Sequence, residues 1–275
     1  MAEYVSRNVT LATAYQWDQM TLTAGETRGD VIVPPGMHSI KQIWLAPAAS
    51  VFTDAKGCII GFRIRGLGFQ YETVAGGVTN STIAVKDGYN VPTYSSIIET
   101  NIQVEPGQSL TLEANQISAS DCGTADLGVT LVFDSSSGEK RWSFLRFSAS
   151  LTGLDTKTVL NLDGIGGTVG AITFPGGTHH ITNILAAPGG ITLATATGGN
   201  LLVRLEGGIK DGDVVIPGGS NAQLNTNDGA GVWVWNPLVL KTDMEIEAGA
   251  QCNAFAEQTG VDWGTVYAAV AVEVA

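Results

Sequence analysis

The side chains here that could do chemistry are imidazoles, clusters of hard oxygens, a pair of indoles and three thiols. The histidines are His38, His179 and His180, and the last two close the run Pro175-Gly176-Gly177-Thr178-His179-His180. Such a run is a tight turn leading into a strand. A neutral imidazole there can ligate a transition metal, and a titrating one can carry a proton. Asp211-Gly212-Asp213 and Asn225-Thr226-Asn227-Asp228-Gly229 offer hard oxygens to a calcium ion, although the same residue types also build ordinary turns. Trp233 and Trp235 are two residues apart, so a strand holding them points both to one face. Exposed, the pair is a stacking platform for a sugar; buried, it is core or a subunit contact. Cys58, Cys122 and Cys252 are odd in number and lack CxxC spacing, which supports neither a disulfide framework nor a zinc site. Cys58 and Cys252 sit beside apolar residues and read as small buried hydrophobes.

None of these makes a complete catalytic set. The run from Pro175 to His180 resembles the second cupin motif, PxGxxH, with His180 in the metal-ligand place. That resemblance implies a bicupin-like metal enzyme. A cupin site takes three histidines and a glutamate on one barrel, with an HxH motif upstream, and here His38 lies far from the other two. No GxSxG elbow occurs. Gly164-Ile165-Gly166-Gly167 is glycine-rich but does not open a helix, so a phosphate loop is not expected. The expectation is a non-enzyme with no catalytic residue and no cofactor; metal binding is left open.

The elements that would position these residues come in two copies. Pro34 to Pro47 and Pro175 to Pro188 are identical at seven of fourteen positions at a shift of 141 residues, among them Gly36/Gly177, His38/His179 and Ile40/Ile181. The same shift lays Gly57 to Leu67 on Gly198 to Gly208, matching Arg63 with Arg204 and Gly66 with Gly207. One residue of slip brings Val104-Glu105-Pro106-Gly107 onto Ile246-Glu247-Ala248-Gly249. The closing strands, Leu127 to Phe133 and Ala268 to Val274, return to the original shift. Four blocks in one order mark an internal repeat. The repeat pairs His38 with His179, not with the motif's His180, and it repeats no ligand set. An Arg inside each matched apolar strand points to a shared structural role, either an inward Arg with a carboxylate partner or an outward surface residue.

Composition agrees with short strands and tight turns. Charged residues make up 15% of the chain and glycine contributes 35 of 275 residues. Ser109-Leu110-Thr111-Leu112-Glu113-Ala114 alternates polar and apolar residues, the mark of a sheet with one wet face. Val129 to Phe133 is more continuously apolar and is expected at the centre of a sheet. Each half offers about eight such runs, which predicts two tandem eight-stranded β-sandwiches, residues 1–138 and 139–275, joined by a short linker near Ser135-Ser136-Ser137-Gly138. The net charge of −12 is spread evenly over the two halves, and no basic patch suggests direct nucleic-acid binding. The first residues show no signal peptide and no stretch reaches eighteen apolar residues, so the expectation is synthesis in a cytoplasm without Sec-type export.

In its two eight-strand patterns, its repeated turn-strand blocks PPGMH and PGGTHH, its short linker and its length, the chain resembles the double jelly-roll major capsid proteins of tailless icosahedral viruses with an internal membrane. The resemblance implies a structural subunit of the virion, made in the host cytoplasm, forming pseudo-hexameric homotrimers that tile an icosahedral shell. It further implies contact with other capsid proteins and with a lipid membrane below. Members often carry an N-terminal segment that reaches that membrane; residues 1–20 here hold Tyr4, Tyr15 and Trp17 but make no clear amphipathic helix. A tandem carbohydrate-binding or adhesive module, using Trp233 and Trp235, is the main alternative of another class.

Overall fold

A computed structural model describes residues 2–11, 16–21, 30–51, 58–67, 73–80, 96–116, 124–139, 143–162, 171–173, 180–193, 200–225, 231–236, 238–247, 249–260 and 264–275. Among these there are strands and no helix. The first half holds β1 (Ala2–Leu11), β2 (Asp18–Gln19), β3 (Asp30–Ile32), β4 (Ser39–Val51), β5 (Cys58–Arg65), β6 (Thr73–Asn80), β7 (Ser96–Gln103), β8 (Ser109–Gln116) and β9 (Thr124–Asp134). The second half holds β10 (Ser143–Leu151), β11 (Thr158–Val159), β12 (Asn161–Leu162), β13 (Ala171–Thr173), β14 (His180–Leu193), β15 (Asn200–Glu206), β16 (Val214–Asn225), β17 (Gly231–Asn236), β18 (Leu238–Glu245), β19 (Gln251–Thr259) and β20 (Gly264–Val274). Residues 2–11 are therefore an integral sheet strand.

Strand order decides the topology. In the first half one sheet runs β1-β9-β4-β7 and the other β2-β8-β5-β6, with β3 also on β8. In the second half one sheet runs β12-β10-β20-β14-β18 and the other β11-β19-β15-β16-β17, with β13 also on β19. The shared path, in which β9 lies between β1 and β4 and β20 lies between β10 and β14, is that of a jelly roll, and it occurs twice. β9, the continuously apolar strand, is central as expected, between β1 and β4.

The pleat buries alternate residues. Leu110, Leu112 and Ala114 of β8 face inward with Phe62 and Ile64 of β5, Ile40 and Ile43 of β4, and Leu131 and Phe133 of β9. The second core gathers Ile181 and Ile184 of β14, Leu201, Val203 and Leu205 of β15, and Val270, Val272 and Val274 of β20. Each fully buried aliphatic or aromatic side chain contributes about 1.5–3 kcal/mol, so two such clusters give each half its own hydrophobic core.

The repeat extends to irregularities. A bulge interrupts β4 between Ile40 and Gln42, and β14 between Ile181 and Asn183, at equivalent positions. A bulge sharpens local twist and re-aims the strand, so β4 and β14 bend at the same place. Gly66 follows β5 and Gly207 follows β15, with φ of 95° and 84°. A Cβ on Gly66 would lie 2.5 Å from the Ser109 carbonyl oxygen, and one on Gly207 would lie 2.7 Å from that of Gln251. Gly66→Ala is therefore expected to cost about 1–3 kcal/mol, from left-handed backbone strain plus a clash with backbone that cannot swing away. Urea unfolding checks this; an unchanged midpoint would contradict it.

The join between the halves is tied to the first. The Ser136 amide donates to Asp134 Oδ1 at 2.8 Å, and Ser39 Oγ donates to the Ser136 carbonyl at 2.9 Å. Hydrogen bonds from the Ser136 backbone and hydroxyl hold the Asp134 carboxyl below its usual range. Glu139 is still bonded to β7, through Asn101 and Gln103.

Candidate functional site

The side chains singled out for chemistry do not converge. His180 opens β14, and its Nδ1 lies 2.8 Å from Asp243 Oδ1, both side chains well exposed. This is an ion pair when the imidazole is protonated, at an angle outside hydrogen-bond geometry. His38 is on the other half, where its backbone accepts from Val104 and donates to Asp134. His179 lies outside the described residues. Among the described residues no group of three or more His, Cys, Asp or Glu side chains is placed to hold a metal ion. In Asp211-Gly212-Asp213 the Asp213 carboxylate accepts from the Gly207 amide at 3.0 Å and Gly212 has φ of 94°, the features of a turn. Residues 226–229 of the second oxygen-rich run are outside the described residues. Trp233 and Trp235 lie on β17, the strand at the end of its sheet, opposite Gln223 and Asn221 of β16.

Cys252 is 3% exposed in the second core, and burial pushes its thiol up to about 12. A thiol so shifted is neutral at physiological pH and unreactive. It is expected to resist a thiol reagent at pH 8 until the chain is unfolded, which mass spectrometry of the labelled peptide reads. Rapid native labelling would contradict the packing. Because the folded thiol ionises at higher pH than an unfolded one, its contribution to stability is complete below the unfolded pKa, near 8.5, and declines as pH rises toward 12.

The duplicated arginines are outward residues with carboxylate partners. Arg63, between buried Phe62 and Ile64, pairs with Glu113 of β8, and its guanidinium lies 4.1 Å from the centre of the Trp17 ring. Arg65 approaches the same carboxylate at 3.4 Å. Arg204 reaches Glu257 of β19 at 2.7 Å, and that hydrogen bond raises its pKa. The two arginines occupy equivalent places, but their acids differ. Glu113 is directly opposite Arg63, whereas Glu257 is opposite Leu202, a diagonal neighbour of Arg204.

The most constrained polar cluster joins the halves. Glu273 of β20 is fully buried, and Asn183 of β14 is 3% exposed. Thr100 Oγ1 of β7 donates to Glu273 Oε1 at 2.8 Å. The Asn183 side-chain amide donates both to Glu273 Oε2 and, at 2.9 Å, to the Glu99 carbonyl of β7. β6 lies against β10, β14 and β20, and β7 touches β18. Since β6 and β7 are end strands of their sheets, the edge of the first sandwich covers the outer face of one sheet of the second. Two different surfaces meet, so the contact is heterologous.

The equivalent outer face of the first half carries exposed apolar side chains. Tyr4 of β1 is 60% exposed, Trp44 of β4 37% and Ile97 of β7 55%. Register aligns Tyr4, Val132, Gln42 and Glu99 in one row across the sheet, and Ser6, Thr130, Trp44 and Ile97 in the next. The Tyr4 and Trp44 rings stand 5.6 Å apart. Trp44 Nε1 donates to Gln42 Oε1 at 2.9 Å, and Gln42 Nε2 donates to Glu99 Oε1 at 2.7 Å.

No family model matches the chain, and no curated protein sequence does. Among solved structures, the chain is similar to the major capsid protein P2 of bacteriophage PM2, at 10% identity over 100% of this chain and 98% of that one, with a TM-score of 0.39. It is also similar to a chain in the structure of infectious bursal disease virus, Gx strain, at 10% identity over 99% of this chain and 72% of that one, with a TM-score of 0.21. The jelly-roll assignment rests on strand order, not on these likenesses.

Neither the buried cluster nor the exposed apolar face was among the residues that motif and spacing singled out. One signal was present. Glu273 is an acid in an otherwise apolar strand, at the place where the duplicate has Val132. A charge appearing in one copy of an apolar strand marks a surface that only that copy covers.

Proposed function

We propose that this chain is a self-assembling structural protein, the major capsid subunit of a virus, in which three copies close into a pseudo-hexameric tile. The two lobes of each copy are residues 1–138 and 139–275. The observation that carries the reading is the way the duplicated sandwiches meet. A heterologous contact between two like units leaves one free edge and one free face, and repetition of such a contact generates a ring when its rotation closes. Six lobes from three chains give a hexagon-like block, a shape that paves a closed shell with few kinds of contact. Two of the buried polar side chains, Asn183 and Glu273, serve the joint between the sandwiches, which supports a structural role. Other capsid proteins would then be neighbours in the shell, an internal lipid layer would lie beneath it, and the subunit would be made in the host cytoplasm.

Negative-stain electron microscopy of the purified chain tests the reading. Six-lobed particles or shells are expected. Single two-lobed particles at every concentration and salt would overturn it.

A further inference from the structure

We infer that the exposed face around Tyr4, Trp44 and Ile97 is the docking site for the β18 edge of a second copy of this chain, with Lys241 of that copy set against Glu99. The inference rests on the self-assembly reading and adds its surfaces. Three observations carry it.

The first is the repeat itself. Within the chain, β6 and the neighbouring edge of β7 lie on the outer face of the second half, where Asn183 grips the Glu99 carbonyl of β7. The position equivalent to β7 is β18, and the position equivalent to Asn183 is Gln42, each just past the shared bulge. Applying the same contact once more brings β18 of another copy over Gln42. The second observation is exposure. The face of the second half is covered and holds a buried polar pair, whereas the matching face of the first half presents two aromatic rings and an isoleucine to solvent. A clustered apolar patch rimmed by polar groups marks an interaction surface.

The third observation is charge. Inside the chain, the β7 segment carrying Glu99 lies over the row Glu273, Asn183 and Lys241. In the repeated contact the β18 segment carrying Lys241 lies over the row Val132, Gln42 and Glu99. The acid Glu99 and the base Lys241 exchange places between the two contacts, so the repeated contact brings the base of one copy toward the acid of the other. Lys241 is exposed, and Glu99 is exposed on the face with its carboxylate held by Gln42. Both are placed to meet across copies.

The test uses the full chain in two variants with different affinity tags. Trp44→Glu blocks the face and leaves the edge; Lys241→Glu blocks the edge and leaves the face. Sedimentation velocity should find each variant folded, by circular dichroism, and its association weakened at least about 30-fold, the scale of losing an interface anchor. A mixture of the two should give heterodimers that go no further, because only one good face and one good edge remain. Trp44→Ser is the second variant, should the introduced charge disturb folding, and it predicts the same loss. Trp44 variants that assemble as the unmodified chain does, or a mixture that gives no heterodimer, would overturn the docking site and leave the capsid reading standing. An unmodified chain that stays monomeric would instead overturn the reading on which the site rests.

Discussion

Replacing Phe133 with alanine is expected to lower the stability of the first half by about 3–5 kcal/mol, the usual cost of deleting a large aromatic side chain from a packed core. Phe133 is fully buried on β9, the central strand of its sheet, opposite Ile40 of β4 and Glu3 of β1. It is among the largest fully buried side chains, with Phe62 on the facing sheet. Removing the ring leaves a cavity walled by strands that are hydrogen-bonded on both sides and cannot collapse inward cheaply. Because Val270, Val272 and Val274 belong to a separate core, the loss should fall on one half. Hydrogen exchange read by mass spectrometry should show protection falling first in β4, β8 and β9, with β15 and β19 retaining theirs. Equal loss in both halves would mean that the two cores are one cooperative unit.

Asn183→Ala is expected to cost about 2–3 kcal/mol, an amount set by a buried carboxyl group and a backbone carbonyl losing a donor. The Asn183 amide satisfies one oxygen of the fully buried Glu273 and the Glu99 carbonyl of the other half. Truncation removes this donor from both acceptors at once, in a place water cannot easily reach. The penalty should appear as a weakened joint. Each core should keep most of its own stability. Asn183→Gln keeps the amide and tests geometry against chemistry, because the longer side chain is what the equivalent position, Gln42, already carries. If Asn183→Ala leaves the denaturation midpoint unchanged, the cluster contributes nothing to the joint.

Much of the fold was legible because β-structure writes itself locally. Ser109 to Ala114 alternates wet and dry residues and forms β8 with Leu110, Leu112 and Ala114 buried. Gly66 and Gly207 matched across the repeat and both prove to hold left-handed turns against a backbone carbonyl. Cys252 was read as a small hydrophobe and is one. The site was far less legible, because it is a property of strand order. Tyr4, Trp44 and Ile97 are distant in the chain and belong to three strands, and only the path β1-β9-β4-β7 brings them onto one face. The matched arginines pointed to a shared role, yet their acids sit at different register positions, Glu113 opposite and Glu257 diagonal. No spacing rule would have paired both. The histidine run drew attention through a motif whose chemistry needs a ligand set, and His180 instead stands at the start of β14 beside Asp243.

A heterologous joint and a duplicated sandwich together make a specific demand on mass. If one copy offers a free edge and a free face, association does not stop at two, and a closed ring of three satisfies every copy. Size-exclusion chromatography with multi-angle light scattering on the purified chain, over a wide range of concentration, measures this directly. The expected result is a species of three times the chain mass, with larger assemblies growing from it. A chain that elutes with the mass of one copy at every concentration and ionic strength would contradict the account.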